Sequence, residues 1–273
     1  MTEVDTGSPE VLADLEDGVA KITLNRPLRR NAVTSESLRV LAATLHSLEQ
    51  NDNVGVITVT GAAGAFCSGG DVLNMQQSSA SPMSDEELRQ SIQKQRVNEE
   101  AVTGFLWSMS KPTIAQLSGP AAGAGLSIAL ACDLRYSDES LMMTTSFARM
   151  GLAGDYGIAW FLTRLVGPAK AKELLFFSER IGAEDAVRLG LVNSVFTGDA
   201  LEGEVRRRAL LLAHGPRVAY QCIKVNVNDS VNSTWQDHFD QEVENYFRTK
   251  MTRDHREATQ AFLEKRDATF LGN

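Results

Sequence analysis

Between Thr113 and Asp133 the chain reads TIAQLSGPAAGAGLSIALACD, a stretch whose chemistry lies in the backbone more than in the side chains. Gly123, Ala124 and Gly125 open an apolar run with almost no side-chain bulk, so a helix starting there leaves its first N–H groups unpaired and accessible. The positive end of a helix dipole at that point stabilises an oxygen carrying negative charge. A second glycine-rich turn, Phe66-Cys67-Ser68-Gly69-Gly70-Asp71-Val72, offers another exposed run of N–H groups after the strand-like segment Val54 to Thr60. Two such donors aimed at one point make an oxyanion hole. Close packing of the helix on a neighbouring element demands the same small residues and is the competing account. Ser127, within Gly125-Leu126-Ser127-Ile128-Ala129, resembles a nucleophile elbow with its last glycine replaced. It falls inside the expected helix, however, and no histidine stands downstream in the expected Asp-then-His order, so serine hydrolysis is the weaker reading.

The elements that must hold these turns follow from pattern and punctuation. Thr113 to Leu117 is a short apolar run bounded by Pro112 and Ser118-Gly119-Pro120, which predicts a buried strand, and Leu126 to Ala131 predicts a helix buried on all sides. Upstream, Val11 to Leu15 and Val19 to Leu24 flank Glu16-Asp17-Gly18 as a hairpin. Thr34 or Ser35 caps a helix running to about Gln50, with Leu38, Leu41, Leu45 and Leu48 on one face. Met75 to Ser84 reads as a mobile surface loop, and Asp85 starts a long helix to about Met109, stopped by Pro112. Gly151 to Gly157 breaks the pattern before a helix from Ile158 to Leu165, and another follows Pro168. From Ala200 onward the chain is helical almost throughout. That change of rhythm divides the chain into a core, residues 1–198, and a helical region, residues 199–273, suited to covering a site or meeting a second subunit.

Composition narrows the function. The formal net charge of the 273 residues is -8, with Lys and Arg dispersed, which argues against a nucleic-acid surface. No apolar run reaches membrane-spanning length and Met1 to Pro9 lacks the features of a signal peptide, so a cytoplasmic protein is expected. Cys67, Cys132 and Cys222 are odd in number and widely spaced, and the four histidines show no ligand spacing. Reduced thiols and no metal are expected.

Taken with their order and separation, Ile22 to Asn31 (ITLNRPLRRN), Phe66 to Val72, Gly119 to Leu134, Gly151 to Gly157, Leu165-Val166-Gly167 and Phe262 to Arg266 (FLEKR) make the chain resemble the enoyl-CoA hydratase/isomerase, or crotonase, superfamily nearly end to end. The resemblance implies an α/β (α+β) fold, a spiral of ββα units forming two nearly perpendicular sheets with a C-terminal helical trimerisation region, assembled as homotrimers or as hexamers that are dimers of trimers. It implies an acyl-CoA substrate, with coenzyme A entering as part of that substrate and no further cofactor. The thioester oxygen would be held by the N–H groups of Ser68 and Ala124. Arg29 would lie near the CoA phosphates, the Gly69, Gly70 and Asp71 backbone beside adenine and pantetheine, and Phe262 and Lys265 at C-terminal positions that reach CoA, sometimes across a subunit boundary. For Phe262, packing in a core or interface is the favoured alternative.

Ser127 and Phe147 stand where hydratases of the family carry their two glutamates, and neither can act as a carboxylate acid or base. Asp155 occupies a third family position, from which some relatives with this residue shift double bonds by moving a proton from C2 to C4 or beyond. Its competing role is an N-cap for the helix that follows. Tyr156 and Trp160 are candidates to line the acyl pocket. The expectation is isomerisation by Asp155, with a hydratase using other residues and a catalytically idle acyl-CoA binder as alternatives.

Overall fold

The computed structural model describes residues 2–72 and 83–273. Most of the segment read as a surface loop thus lies outside the described residues. Of that segment Ser84 is described, as the N-cap of the helix that follows.

Alternating apolar residues build a hairpin from β2 (Val11–Glu16) and β3 (Val19–Leu24), closed by Asp17 and Gly18 in the left-handed region. β1 (Thr2–Val4) adds antiparallel to β2. β4 (Val56–Gly61), β5 (Thr113–Leu117), β7 (Leu134–Asp138) and β10 (Ser194–Phe196) continue the sheet in parallel, in the order β1-β2-β3-β4-β5-β7-β10. Parallel strands need crossovers, and the helices supply them. A second, three-stranded sheet pairs β6 (Pro120–Ala122), β8 (Met142–Thr144) and β9 (Ile181–Gly182).

α1 (Ser35–Glu49) begins at Thr34, which forms a capping box with Ser37 and buries Leu38, Leu41, Leu45 and Leu48. The expected long helix is interrupted. α2 (Asp85–Glu99) passes into a π turn at Glu100–Gly104 and then α3 (Phe105–Ser108). The Thr103 hydroxyl donates to the Glu99 carbonyl at 3.1 Å and Gly104 weakens the turn that follows, which gives the wider turn a local cause. α4 (Ala124–Ala131) is buried at every residue. α5 (Ile158–Phe177) bends at Gly167, whose φ of 75° and ψ of 164° precede Pro168. α6 (Ala183–Arg188) follows β9.

Beyond residue 198 the chain is helical: α7 (Gly198–Ala213), α8 (Arg217–Ser230), α9 (Trp235–Lys250) and α10 (Arg253–Glu264). α7 is a layer of the core, since its Leu201, Val205, Ala209 and Ala213 pack on Val19, Val56, Ile114 and Tyr136 of the large sheet. α8 is tied to the core by Lys224, whose ammonium donates to the carbonyls of Leu106 and Lys111 and to the Asp133 carboxylate at 2.9 Å. α8, α9 and α10 leave Val227, Trp235, Phe239, Val243 and Phe262 exposed.

Candidate active site

The two glycine-rich turns are bonded directly to each other. Cys67 N–H donates to the Pro120 carbonyl at 3.0 Å and Ala122 N–H to the Cys67 carbonyl at 2.9 Å. Gly125 permits the approach: a Cβ there would lie 2.5 Å from the Cys67 carbonyl oxygen and 2.6 Å from its sulfur. Gly123, at φ 50° and ψ -127°, turns the chain into α4, so that Ala124 becomes the first residue of the helix. Close packing and amide exposure are therefore divided between neighbours, Gly125 serving the first and Ala124 the second.

Ala124 N–H has no backbone acceptor among the described residues, as expected of a first helical turn. On the other turn the expectation fails for Ser68. Its N–H donates to the Arg30 carbonyl at 3.0 Å, its hydroxyl to the Arg29 carbonyl at 3.2 Å, and it does not line the cavity that Ala124 faces. Gly69 N–H is held by the Cys67 sulfur and Asp71 N–H by the Val33 carbonyl. Gly70 lines the cavity with Ala124, and its N–H has no acceptor among the described residues. The turn thus offers a donor two residues later than expected. A parallel bridge between Val33 and Gly70 takes up the flanking groups of the turn and leaves those of Gly70 pointing elsewhere, an alternation invisible in the string of small residues.

Asp155 lines this same cavity, of about 360 Å³, together with Val33, Leu38, Asn98 and Tyr156. It does not cap the following helix. Gly157 is the N-cap of α5, no side chain caps that end, and one buried carboxylate oxygen of Asp155 has no hydrogen-bond partner. Burial, and secondarily the charge of Glu99, raise its pKa to about 6. The loop is pinned by its backbone: Ser127, fully buried, donates its hydroxyl toward the Asp155 carbonyl at 3.1 Å and the Gly123 carbonyl at 3.3 Å. Those partners are carbonyls and not an imidazole, so the serine is a strut, and nothing here activates it as a nucleophile. Phe147 is buried, with its ring beside Gly123.

Other expected contributors separate. Tyr156 lines the cavity, whereas Trp160 faces away, packed edge-on against Trp107 and covered by Arg164. Arg29 is exposed in a 3-10 turn, Pro27–Arg29. The Asp71 carboxylate is paired with Arg26 at 2.9 Å. Phe262, 82% exposed, is not packed within the chain, and neither it nor Lys265 lines the cavity. Cys67 and Cys132 are buried, with thiol pKa values raised to about 12, and are inert as nucleophiles. A larger cavity, about 450 Å³, lies beneath α8, but its lining is mostly apolar and its carboxylate, Asp133, is held by Lys224 and Thr113.

Residues 14–273 match the model of the enoyl-CoA hydratase/isomerase family. The chain belongs to that family. Among similar proteins, one named a probable enoyl-CoA hydratase from Rhodobacter capsulatus is 33% identical over 95% of this chain and 96% of its own. The 1,2-epoxyphenylacetyl-CoA isomerase of Escherichia coli is 30% identical over 96% of this chain and 98% of its own. The crystal structure of an enoyl-CoA hydratase from Polaromonas sp. JS666 superposes with a TM-score of 0.87 at 30% identity, covering 95% of this chain and 98% of that one. As an enoyl-CoA hydratase/isomerase family member the protein is an enzyme of CoA thioesters, and its sheet-and-helix architecture is that of the crotonase fold.

Proposed function

We propose that this enzyme moves a double bond along the acyl chain of an enoyl-CoA thioester, with Asp155 as the base. The observation that carries the reading is the uncapped, partly desolvated Asp155 carboxylate sharing one cavity with Ala124 and Gly70, while Ser127 and Phe147 supply no second carboxylate. In the reaction the carboxylate takes a proton from C2 of a 3-enoyl thioester. The C–H electron pair passes into the C1–C2 bond and the thioester oxygen becomes an enolate. The N–H groups of Ala124 and Gly70 hold that oxygen, a donor pair of which each member is worth about 2.7–4 kcal/mol of barrier. Asp155 then returns the proton at C4, leaving the double bond between C2 and C3. One base serves both ends, so atoms and charge balance without water or a second acid.

Coenzyme A enters as part of the substrate, and the chemistry calls for no further cofactor. The Arg29 guanidinium, exposed and without a partner among the described residues, is free to meet the CoA phosphates. The Gly69 to Asp71 backbone would line the path of the pantetheine arm. Phe262 and Lys265 would reach CoA from a neighbouring subunit; the exposure of Phe262 excludes packing in this chain's own core and suits CoA contact and interface packing equally.

The test is turnover of 3-hexenoyl-CoA by the wild-type protein and Asp155→Asn. Isomerisation by the wild type and a loss of at least about 10³-fold in kcat, with the affinity for hexanoyl-CoA retained, is expected. Unchanged turnover in Asp155→Asn overturns the assignment. Absence of turnover in the wild type favours an idle binder, and water addition to 2-hexenoyl-CoA favours a hydratase with other catalytic groups.

A further inference from the structure

We infer that the acyl group accepted by this cavity carries a neutral oxygen function, a hydroxyl or a carbonyl, that hydrogen-bonds to Asn98. The inference rests on the reading of the cavity as an acyl pocket, but not on the reaction assigned to Asp155. The wall contributed by α2 is polar where a plain hydrocarbon tail wants apolar side chains. Of the polar residues around the cavity, three beside Asn98 and Asp155 are already engaged. The Thr34 hydroxyl donates to Glu10 at 2.8 Å, the Asp71 carboxylate pairs with Arg26, and the Gln95 amide donates to Glu99 at 2.9 Å. The Asn98 carboxamide is half-buried in the same lining and has no hydrogen-bond partner among the described residues. An alkyl chain laid against it would strip its water and give nothing in return, a cost that a hydroxyl or carbonyl of the substrate removes. A carboxamide both donates and accepts, so either oxygen type satisfies it. An anionic group is disfavoured, because Asp155 lines the same cavity and Glu99 lies close enough to raise the Asp155 pKa.

Calorimetric binding of hexanoyl-CoA and its 5-hydroxy and 6-hydroxy derivatives tests this without turnover. The wild type is expected to bind at least one hydroxylated thioester about tenfold or more tightly than the plain one. In Asn98→Leu the preference should disappear or reverse, while hexanoyl-CoA still binds, which shows the variant to be folded. Equal or tighter binding of hexanoyl-CoA by the wild type, or an undiminished preference in Asn98→Leu, overturns the inference. Discrimination by Asn98 with no double-bond migration in either 3-hexenoyl-CoA or 6-hydroxy-3-hexenoyl-CoA would uphold it and fell the isomerase reading. Turnover dependent on Asp155 without discrimination would do the opposite.

Discussion

At the residue scale the protein stores a cost in Asp155. A carboxylate that takes its proton back near pH 6, instead of near pH 4, is a group the fold would sooner keep neutral. The folded state therefore binds more protons than the unfolded chain between those values, so the contribution of Asp155 is fully present below pH 4 and lost as pH rises through about 6. Asp155→Asn removes that loss. Chemical denaturation at pH 8 should find the variant more stable by up to about 3 kcal/mol, since each unit of pKa is worth about 1.4 kcal/mol, with the gap closing below pH 4. Activity runs the other way. A base works ionised, so kcat/KM should fall tenfold per unit as pH drops below about 6, which a pH profile on 3-hexenoyl-CoA measures. Position 155 was legible through the family resemblance, but its state was not. Asp-Tyr-Gly before a helix suits a cap as well as a base, and only the start of α5 at Ile158 separates the two.

At the element scale the site depends on how closely α4 lies against the Cys67 turn. Gly125→Ala places a methyl group within 2.6 Å of the Cys67 carbonyl oxygen, Cβ and sulfur, and two of those three atoms cannot rotate away. Overpacking of this kind costs about 1–3 kcal/mol, read as a lower thermal midpoint. The displaced helix start should also lower kcat for isomerisation more than it weakens hexanoyl-CoA binding, because the amide of Ala124 meets charge only as the enolate forms. α1, with its cap and leucine stripe, was written plainly in local sequence. The π turn at Glu100–Gly104 was not, because hydrophobic spacing in a helix reports which face is buried and is insensitive to one extra residue in a turn.

At the scale of the whole molecule, Val227, Trp235, Phe239 and Val243 on α8 and α9 are each more than half exposed, which makes these helices the face we propose for subunit contact. Light scattering should give a mass three or six times the 29.7 kDa of one chain. Replacing Phe239 and Val243 together by Lys should shift that mass downward without loss of helical signal. A monomeric wild type, or an unaltered mass in the double variant, would remove these two helices from the interface. No helix among the described residues is long and apolar enough to cross a membrane.

Asp155 came forward only through the family resemblance, and β1 and the short strands of the second sheet were not legible; the amino-acid order by itself determined the other strands, most helix starts and stops and both glycine-rich turns. Each of these is set by residues near one another in the chain, through caps, turn residues and periodic burial. The tertiary structure alone decided which amide of the second turn is open, since Ser68 gives its N–H to Arg30, a partner 38 positions earlier, and Gly70 is left facing Ala124 and Asp155. It alone showed the pairing of the two turns through Cys67 and the burial that lifts the Asp155 pKa. Hydrogen bonds and desolvation of that kind depend on segments distant in sequence, and no local pattern encodes which of several adjacent amides such a partner will claim.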